Sequence, residues 1–272
     1  MRFAKYTGAG NDFVIAVADW NDAKASRVAR RVCPRSTGVG VDGLIVLRRL
    51  GPDRVRATFV NPDGSVFSTC GNGSRCAARF AVDQGLVESS RLTLVTGAAD
   101  ILASVEGDSV ELIYRIGIAL KGSFAVEGPR GSARGWLVHI GLPHFVLPVE
   151  KQPDGPIEPL CRPIRHLEAL GSDGANVNLV ELHDRVSGSI RTFERGVEAE
   201  TLACGSGAMA STFALHAAGL CERSVRLRTR GGDHLQITLA DEAPGPDGLR
   251  ELRLAGPVAH LFDGSFPAEA RT

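Results

Sequence analysis

Hydrophobic positions along the chain fall in short runs rich in Val, Ile and Leu, each bounded by Gly, Asp or Pro. Runs of this length and composition are typical of β-strands. The strands predicted in this way lie at Phe13–Val17, Gly43–Leu47, Arg56–Val60, Arg91–Val95, Ile101–Val105, Ser109–Arg115, Trp136–Ile140, Asn178–Leu182, Ser189–Phe193, Ser224–Thr229, Leu235–Leu239 and Leu249–Leu254, with a further one near 258–262.

Two Ala-rich segments interrupt this β pattern, at about 73–83 and 207–218. Each is apolar on most sides, which predicts a buried helix. A glycine follows each segment, at Gly85 and Gly219, and suits the left-handed position beyond a helix end. A third helix, near 21–31, is polar and is expected at the surface.

The two buried helices belong to an internal duplication. Cys-Gly-x-Gly occurs at residues 70–73 and again at 204–207, and weaker similarities upstream recur at nearly the same offset. This predicts an α+β fold of two similar domains related by internal duplication, each a curved, mostly antiparallel sheet wrapped around a central helix. The first domain is expected at 1–118, joined by a C-terminal strand at about 256–272, and the second at 119–255. The Gly-rich stretch 117–134 and the Pro-rich stretch 151–159 are expected to be connectors.

Charge and composition exclude several function classes. The chain has 272 residues, with 31 Lys and Arg against 31 Asp and Glu. A net charge of zero disfavours general binding to nucleic acid or to anionic membranes. The N-terminal residues contain no uninterrupted apolar leader, so we expect a cytoplasmic protein whose six cysteines stay reduced. The cysteines form no Cys-x-x-Cys pair, so no metal site is expected.

The repeated cysteines indicate chemistry because each precedes a buried helix. The positive end of a helix dipole lowers the pKa of a thiol placed there, and the uncovered N–H groups bind anions. Two such thiols on opposite faces of one α-carbon permit two-base proton exchange. One removes the α-proton, the other returns a proton from the opposite side, and the N–H groups stabilise the enolate-like charge. No pyridoxal phosphate or other cofactor is expected.

In these motifs the chain resembles the diaminopimelate epimerase family, the pyridoxal-independent enzymes of lysine and peptidoglycan precursor synthesis. The matching segments occur in order along nearly the whole chain, and include 8–14, 38–42, 61–65, 70–76, 141–144, 194–196 and 200–207. The resemblance implies an isomerase of amino-acid biosynthesis that forms a homodimer and acts on a small amino-acid substrate.

The resemblance also implies a role for each matching residue. Cys70 and Cys204 would be the acid/base thiols, and His144 and Glu194 would tune their pKa. The remaining positions would bind substrate: Asn11, Asn61, Gly71, Asn72, Asn176, Glu194, Arg195, Gly205 and Ser206. The backbone of 71–72 and 205–206 would hold the reacting carboxylate, and the side chains would bind the amine and the distal end of the substrate.

Two of the departures from the family pattern bear on substrate and assembly. Leu142 stands where relatives commonly have an Asn before Pro-His, and Phe262 replaces a Tyr associated with the dimer interface. The first departure leaves open a racemase of the same fold that acts on another amino acid, such as histidine. From different function classes, a hydrolase that uses Cys204 with His144 and a non-catalytic amino-acid binding protein compete with the epimerase interpretation.

Overall fold

A computed structural model describes residues 1–128, 131–240, 244–245 and 247–267. The chain divides into two compact units. Unit 1 comprises residues 1–112 and 256–272, and unit 2 comprises residues 113–255. The first boundary lies within a strand at Ser109–Ile116, a few residues before the expected position at 118.

Unit 1 is a mixed sheet with two helices. Its elements are β1 (Arg2–Gly8), β2 (Asn11–Val17), α1 (Asp22–Val32), β3 (Gly43–Arg49), β4 (Arg54–Val60), β5 (Val66–Phe67), α2 (Gly71–Asp83), β6 (Arg91–Val95), β7 (Asp100–Glu106) and the start of β8 (Ser109–Ile116). Strands β1 and β2 pair antiparallel, β2 and β3 parallel, β3 and β4 antiparallel, and β4 and β6 parallel.

Unit 2 repeats this pattern after a hairpin. Its elements are β9 (Ala119–Gly128), β10 (Gly131–Ile140), β11 (Leu142–Pro148), α3 (Glu158–Arg165), a 3₁₀ turn at Glu168–Leu170, β12 (Asn176–Leu182), β13 (Ser187–Glu194), β14 (Ala199–Thr201), α4 (Gly205–Ala217), β15 (Ser224–Arg228), β16 (His234–Leu239) and most of β17 (Arg250–Pro257). The last strand, β18 (Ala259–Ser265), belongs to unit 1 and pairs antiparallel with β1.

The strand pairings confirm the duplication. Strands β10 to β13 pair antiparallel, parallel and antiparallel in sequence, and β13 pairs parallel with β15, which reproduces the order seen for β1 to β4 and β6. Helix α1 lies between β2 and β3, and α3 lies between β11 and β12. Helices α2 and α4 are both 13 residues long. The predicted α+β fold of two similar halves is therefore present.

Each predicted buried helix is the centre of its unit. Helix α2 packs against β1, β2, β3, β4, β6 and β7, and α4 packs against β10, β11, β12, β15 and β16. Small Ala side chains favour helix formation and allow the strands to approach closely. The sheet in each unit thus packs around one helix and fixes where that helix begins. None of the described helices is long and apolar enough to cross a membrane.

The prediction that residues 117–134 and 151–159 are connectors is wrong in part. Residues 119–128 and 131–140 form the paired strands β9 and β10, in which Trp136 lies opposite Ser123. Residues 129 and 130 of the expected connector lie outside the described residues. Glycines did not prevent strand formation, because the ladder of hydrogen bonds to β10 holds the backbone extended. The Pro-rich stretch is a loop only up to Glu158, where α3 begins with a proline in its first turn. Proline is tolerated there because the first N–H groups of a helix lack intrahelical partners.

Candidate active site

Cys70 and Cys204 hold the same local position, each immediately before a buried helix. Both have extended backbone angles and are the N-cap residues of α2 and α4. The first intrahelical bonds run from Ser74 N–H to the Cys70 carbonyl and from Ala208 N–H to the Cys204 carbonyl. The N–H groups of 71–73 and 205–207 therefore precede the helical hydrogen-bond ladder, as an anion site requires.

Neither helix carries an acidic residue in its first turn. The partial positive charge at each helix start is therefore not neutralised from within the helix. In α2 the Gly73 N–H donates to Cys70 Sγ at 3.5 Å. In α4 the Cys204 sulfur lies 3.5 Å from Ser206 Oγ.

The second glycine of each motif is required by packing. A Cβ at Gly73 would lie 3.1 Å from the Phe59 ring, and a Cβ at Gly207 would collide with Asn178 Oδ1. Each of these contacts comes from a strand of the same unit. The Cys-Gly-x-Gly motif therefore allows the helix start to pack directly onto the sheet.

A chain of amides supports the start of α2. The buried Asn72 donates through Nδ2 to Asn11 Oδ1 at 2.6 Å, and Asn11 Nδ2 donates to Asp42 Oδ2 at 2.8 Å. On its other side, Asn72 Oδ1 accepts from Arg75 Nη2 at 2.8 Å. Arg75 is fully buried. The structure therefore brings together the predicted residues Asn11, Asn72 and Cys70, and adds Asp42 and Arg75 to them.

Cys204 lies beside a carboxylate. Glu194, at the end of β13, forms a side-chain hydrogen bond with Cys204, and its Oε1 accepts from Thr201 Oγ1 at 2.8 Å. Burial raises the pKa of Glu194, and the bonds from Thr201 and Cys204 oppose that rise. Thr201 thus holds a partly buried carboxylate against the thiol.

The pKa of Cys204 differs from the sequence prediction. The helix position was expected to lower it, but burial and, next, the negative charge of Glu194 raise it well above the ordinary thiol value. Removing a thiol from water disfavours the thiolate, and a neighbouring anion adds to that cost. Cys204 is therefore a protonated thiol in this structure. The expectation of a lowered pKa stays a prediction for Cys70.

His144 is completely buried in β11, between two asparagines of β12. Its Nε2 is 3.5 Å from Asn176 Nδ2, and its Nδ1 is 3.3 Å from Asn178 Nδ2. Burial first, then the charges of His139 and Arg195, lower the pKa of His144 to about 3. The imidazole is therefore neutral near pH 7.

Arg195 follows Glu194 directly, and its backbone bonds to Asn176, one of the two asparagines beside His144. Its N–H donates to Asn176 Oδ1 at 2.7 Å. Its guanidinium lies 3.6 Å from the exposed carboxylate of Asp173.

Asn61, by contrast, bonds within its own turn, where Nδ2 donates to Ser65 Oγ at 2.9 Å. Among the described residues, its side-chain partner is thus Ser65 and not a group beside either cysteine.

Three polar residues of unit 2 were not predicted from the sequence: Thr201, Asn178 and Thr192. Asn178 is fully buried within β12, and Thr192 Oγ1 donates to its Oδ1 at 3.0 Å. An Asn inside a run of buried apolar residues was a usable signal, because a buried amide must be hydrogen-bonded. Thr201 gave no such signal, since Thr is common in strands.

Known proteins resemble this chain over most of its length. The family model described as diaminopimelate epimerase matches residues 3–121 and 136–245. A protein from Aquifex aeolicus named diaminopimelate epimerase is 36% identical, and the match covers 99% of each chain.

Solved structures share the fold at low sequence identity. A phenazine biosynthesis protein of the PhzF family from Bacillus anthracis superposes with a TM-score of 0.73 at 13% identity, covering 98% of this chain and 99% of that one. A hydroxyproline epimerase from Agrobacterium vitis superposes with a TM-score of 0.69 at 16% identity, covering 97% and 91%. These two likenesses establish the fold alone.

Proposed function

The chain belongs to the diaminopimelate epimerase family, and from this premise we propose that it interconverts L,L- and meso-diaminopimelate. The reaction serves lysine and peptidoglycan precursor synthesis. The observation that carries the proposal is the pair of Cys-capped, 13-residue helices at equivalent places in two similar units. The full-length match to a relative of that name supports the choice of substrate.

In the proposed reaction Cys70 and Cys204 act on opposite faces of one α-carbon. A thiolate takes the α-proton and becomes a thiol, and the other thiol gives its proton to the opposite face and becomes a thiolate. The stereocentre inverts, and the protonation states of the two cysteines are exchanged. Because the pKa of Cys204 is raised, Cys204 starts as the proton donor. The thiolate is assigned to Cys70, whose position before α2 is expected to lower its pKa.

The carbanion formed in this step needs stabilisation, since no electron-accepting cofactor takes part in the proposal. The N–H groups of Gly71, Asn72, Gly205 and Ser206 bind the reacting carboxylate, whose oxygens take up negative charge in the transition state. Donors already fixed at a helix start need no reorganisation when that charge develops.

Polar side chains bind the rest of the substrate in this proposal. Asn11, Asn61, Asn176 and Glu194 bind the amino groups and the distal end, and the Arg195 guanidinium binds the distal carboxylate with two hydrogen bonds. The partly exposed guanidinium of Arg195, paired only loosely with Asp173, supports this assignment.

Incubation of the protein with L,L-diaminopimelate in D₂O tests the function. We expect deuterium at the α-carbon and formation of the meso isomer, as measured by NMR and chiral chromatography. L-Histidine and L-lysine are run in parallel. Faster racemisation of either one would reject diaminopimelate as the substrate while keeping the two-thiol reaction. Deuterium uptake by none of the three would reject the proposed function.

We also propose that the protein is a cytoplasmic homodimer whose two units are its domains. The six cysteines, all within the described residues, form no disulfide bond, as a reducing compartment allows. Strand β18 presents Leu261 and Phe262, which are 49% and 45% exposed, and such neighbouring apolar side chains favour association. Light scattering after size-exclusion chromatography should give a dimer mass for the natural protein and a monomer mass for Phe262→Asp.

A further inference from the structure

The hydrogen-bonding groups around His144 determine which of its two ring nitrogens carries the proton. Both of its ring nitrogens face side-chain amide nitrogens, Nε2 that of Asn176 at 3.5 Å and Nδ1 that of Asn178 at 3.3 Å. The orientation of each amide must be known before the ring protons can be assigned, because the oxygen and nitrogen of an amide are easily interchanged.

Backbone groups settle both orientations. The Arg195 N–H can only donate, so the Asn176 atom 2.7 Å away is the oxygen. The Phe145 carbonyl can only accept, so the Asn178 atom 3.2 Å away is the nitrogen. Thr192 Oγ1 then donates to Asn178 Oδ1 at 3.0 Å. Both amides therefore present N–H groups to His144.

A neutral imidazole has one nitrogen that accepts and one that donates, so His144 can accept from only one of these amides. The shorter contact is the one from Asn178, whose two amide hydrogens are then both used, one by Phe145 O and one by His144 Nδ1. The ring proton is thereby assigned to Nε2. Asn176 Nδ2 lies 3.5 Å from Nε2 but is itself a donor, so it does not accept this proton.

We propose that Asn178 is a positioning residue that fixes His144 as the neutral tautomer with its proton on Nε2. His144 then takes part in the reaction as a hydrogen-bond donor and not as a base. The donor role rests on the proposed function, whereas the tautomer follows from the structure of unit 2 alone.

The charged and titratable groups around the ring support a neutral state. His139 from β10 and Arg195 after β13 both disfavour a second proton, and the groups of β12 that face the ring are the uncharged Asn176 and Asn178. An imidazolium would also place two N–H donors against two amide N–H donors.

Long-range ¹H–¹⁵N correlation spectra of the ¹⁵N-histidine-labelled protein test the proposal directly. The His144 signals are assigned by their absence in His144→Gln. We expect the pattern of an Nε2-protonated ring, unchanged from about pH 5 to 8. An Nδ1-protonated ring, or titration within that range, would overturn the proposal.

Two matched substitutions separate positioning from mere packing. In Asn178→Asp a carboxylate oxygen faces Nδ1, so the proton should move to Nδ1 or the ring should become doubly protonated. In Asn176→Asp the new oxygen faces Nε2 while the other still accepts from Arg195, so the Nε2-protonated form should persist. An unchanged tautomer in Asn178→Asp, or a changed one in Asn176→Asp, would contradict the assignment.

Activity is then compared with the spectra. We expect kcat for diaminopimelate to fall about tenfold or more in Asn178→Asp, with a smaller change in KM. The spectra need no substrate, so absence of any epimerase activity in the natural protein would reject the proposed function without touching the tautomer. If Asn178→Asp does not fold, the natural protein and Asn176→Asp still decide the outcome.

Discussion

The Oδ1 atom of Asn178 occupies the space that a Cβ atom on Gly207 would need. That hypothetical Cβ would also lie 3.3 Å from Cys204 Sγ. The third residue of α4 is thus restricted to glycine by an amide from β12. The same amide contacts His144, so the helix start and the histidine share one packing partner.

Gly207→Ala should therefore destabilise the protein by about 1–3 kcal/mol, since either Asn178 or the helix start must move. The measurement is urea unfolding. Gly155→Ala is the matched control, because a Cβ at Gly155 would meet nothing within 4 Å. Equal unfolding midpoints for the two variants would contradict the packing argument.

Each of the two helix-capping cysteines should be essential. Cys70→Ser and Cys204→Ser should each lower kcat by about 100-fold or more, because a serine hydroxyl is a far weaker acid than a thiol and hardly ionises to the base form near neutral pH. Cys33→Ala, which alters a buried core cysteine, should keep most of its activity per folded molecule. Full epimerase activity with only one of the two thiols would contradict the two-thiol reaction.

Glu194→Gln should lower the pKa of Cys204. Glu194 raises that pKa through its negative charge, so a neutral amide removes the repulsion and lets the thiolate form at lower pH. The rate of Cys204 alkylation by iodoacetamide, followed by mass spectrometry across pH, should rise in this variant at a given pH. The exposed Glu150→Gln serves as the control and should leave the Cys204 profile unchanged.

Thr201 should set the pH at which Glu194 loses its charge. Its hydroxyl bond lowers the pKa of Glu194, so Thr201→Val should raise that pKa and shift the acidic limb of the kcat/KM profile to higher pH. Thr201→Ser keeps the hydroxyl and should keep the natural profile. Coincident kcat/KM profiles for Thr201→Val and Thr201→Ser would show that the hydrogen bond from Thr201 to Glu194 does not set this pH.

Arg195 should decide the use of a substrate with two carboxylates. Arg195→Ala should abolish turnover of diaminopimelate, because a buried carboxylate without a partner costs about 1–3 kcal/mol or more. Asp173→Asn removes the acid that competes for the guanidinium and should lower KM or leave it unchanged. Leu142→Asn should preserve or improve turnover. Loss of activity in Asp173→Asn would mean that the ion pair positions Arg195.

Most of the fold was predictable because its patterns are local. Every strand predicted from apolar runs overlaps an observed strand, and both buried helices lie where Ala-rich composition placed them. Five observed strands were not predicted: β1, β5, β9, β11 and β14. β1 carries polar Lys5 and Thr7 within a short run, and it is extended because β2 and the distant β18 bond to its two sides. Pairing with a strand as distant in the sequence as β18 leaves no local pattern.

By itself the sequence determined the duplication, the two helices and the cysteine before each one, since composition and repeated motifs encode all three. Tertiary structure alone decided the protonation of these groups. The pKa of Cys204 rises because the fold buries it and β13 brings Glu194 beside it, and His144 is neutral because the fold buries it and places the charges of His139 and Arg195 near it. Proton affinity depends on burial and on neighbours in space, and neither can be read from spacing along the chain.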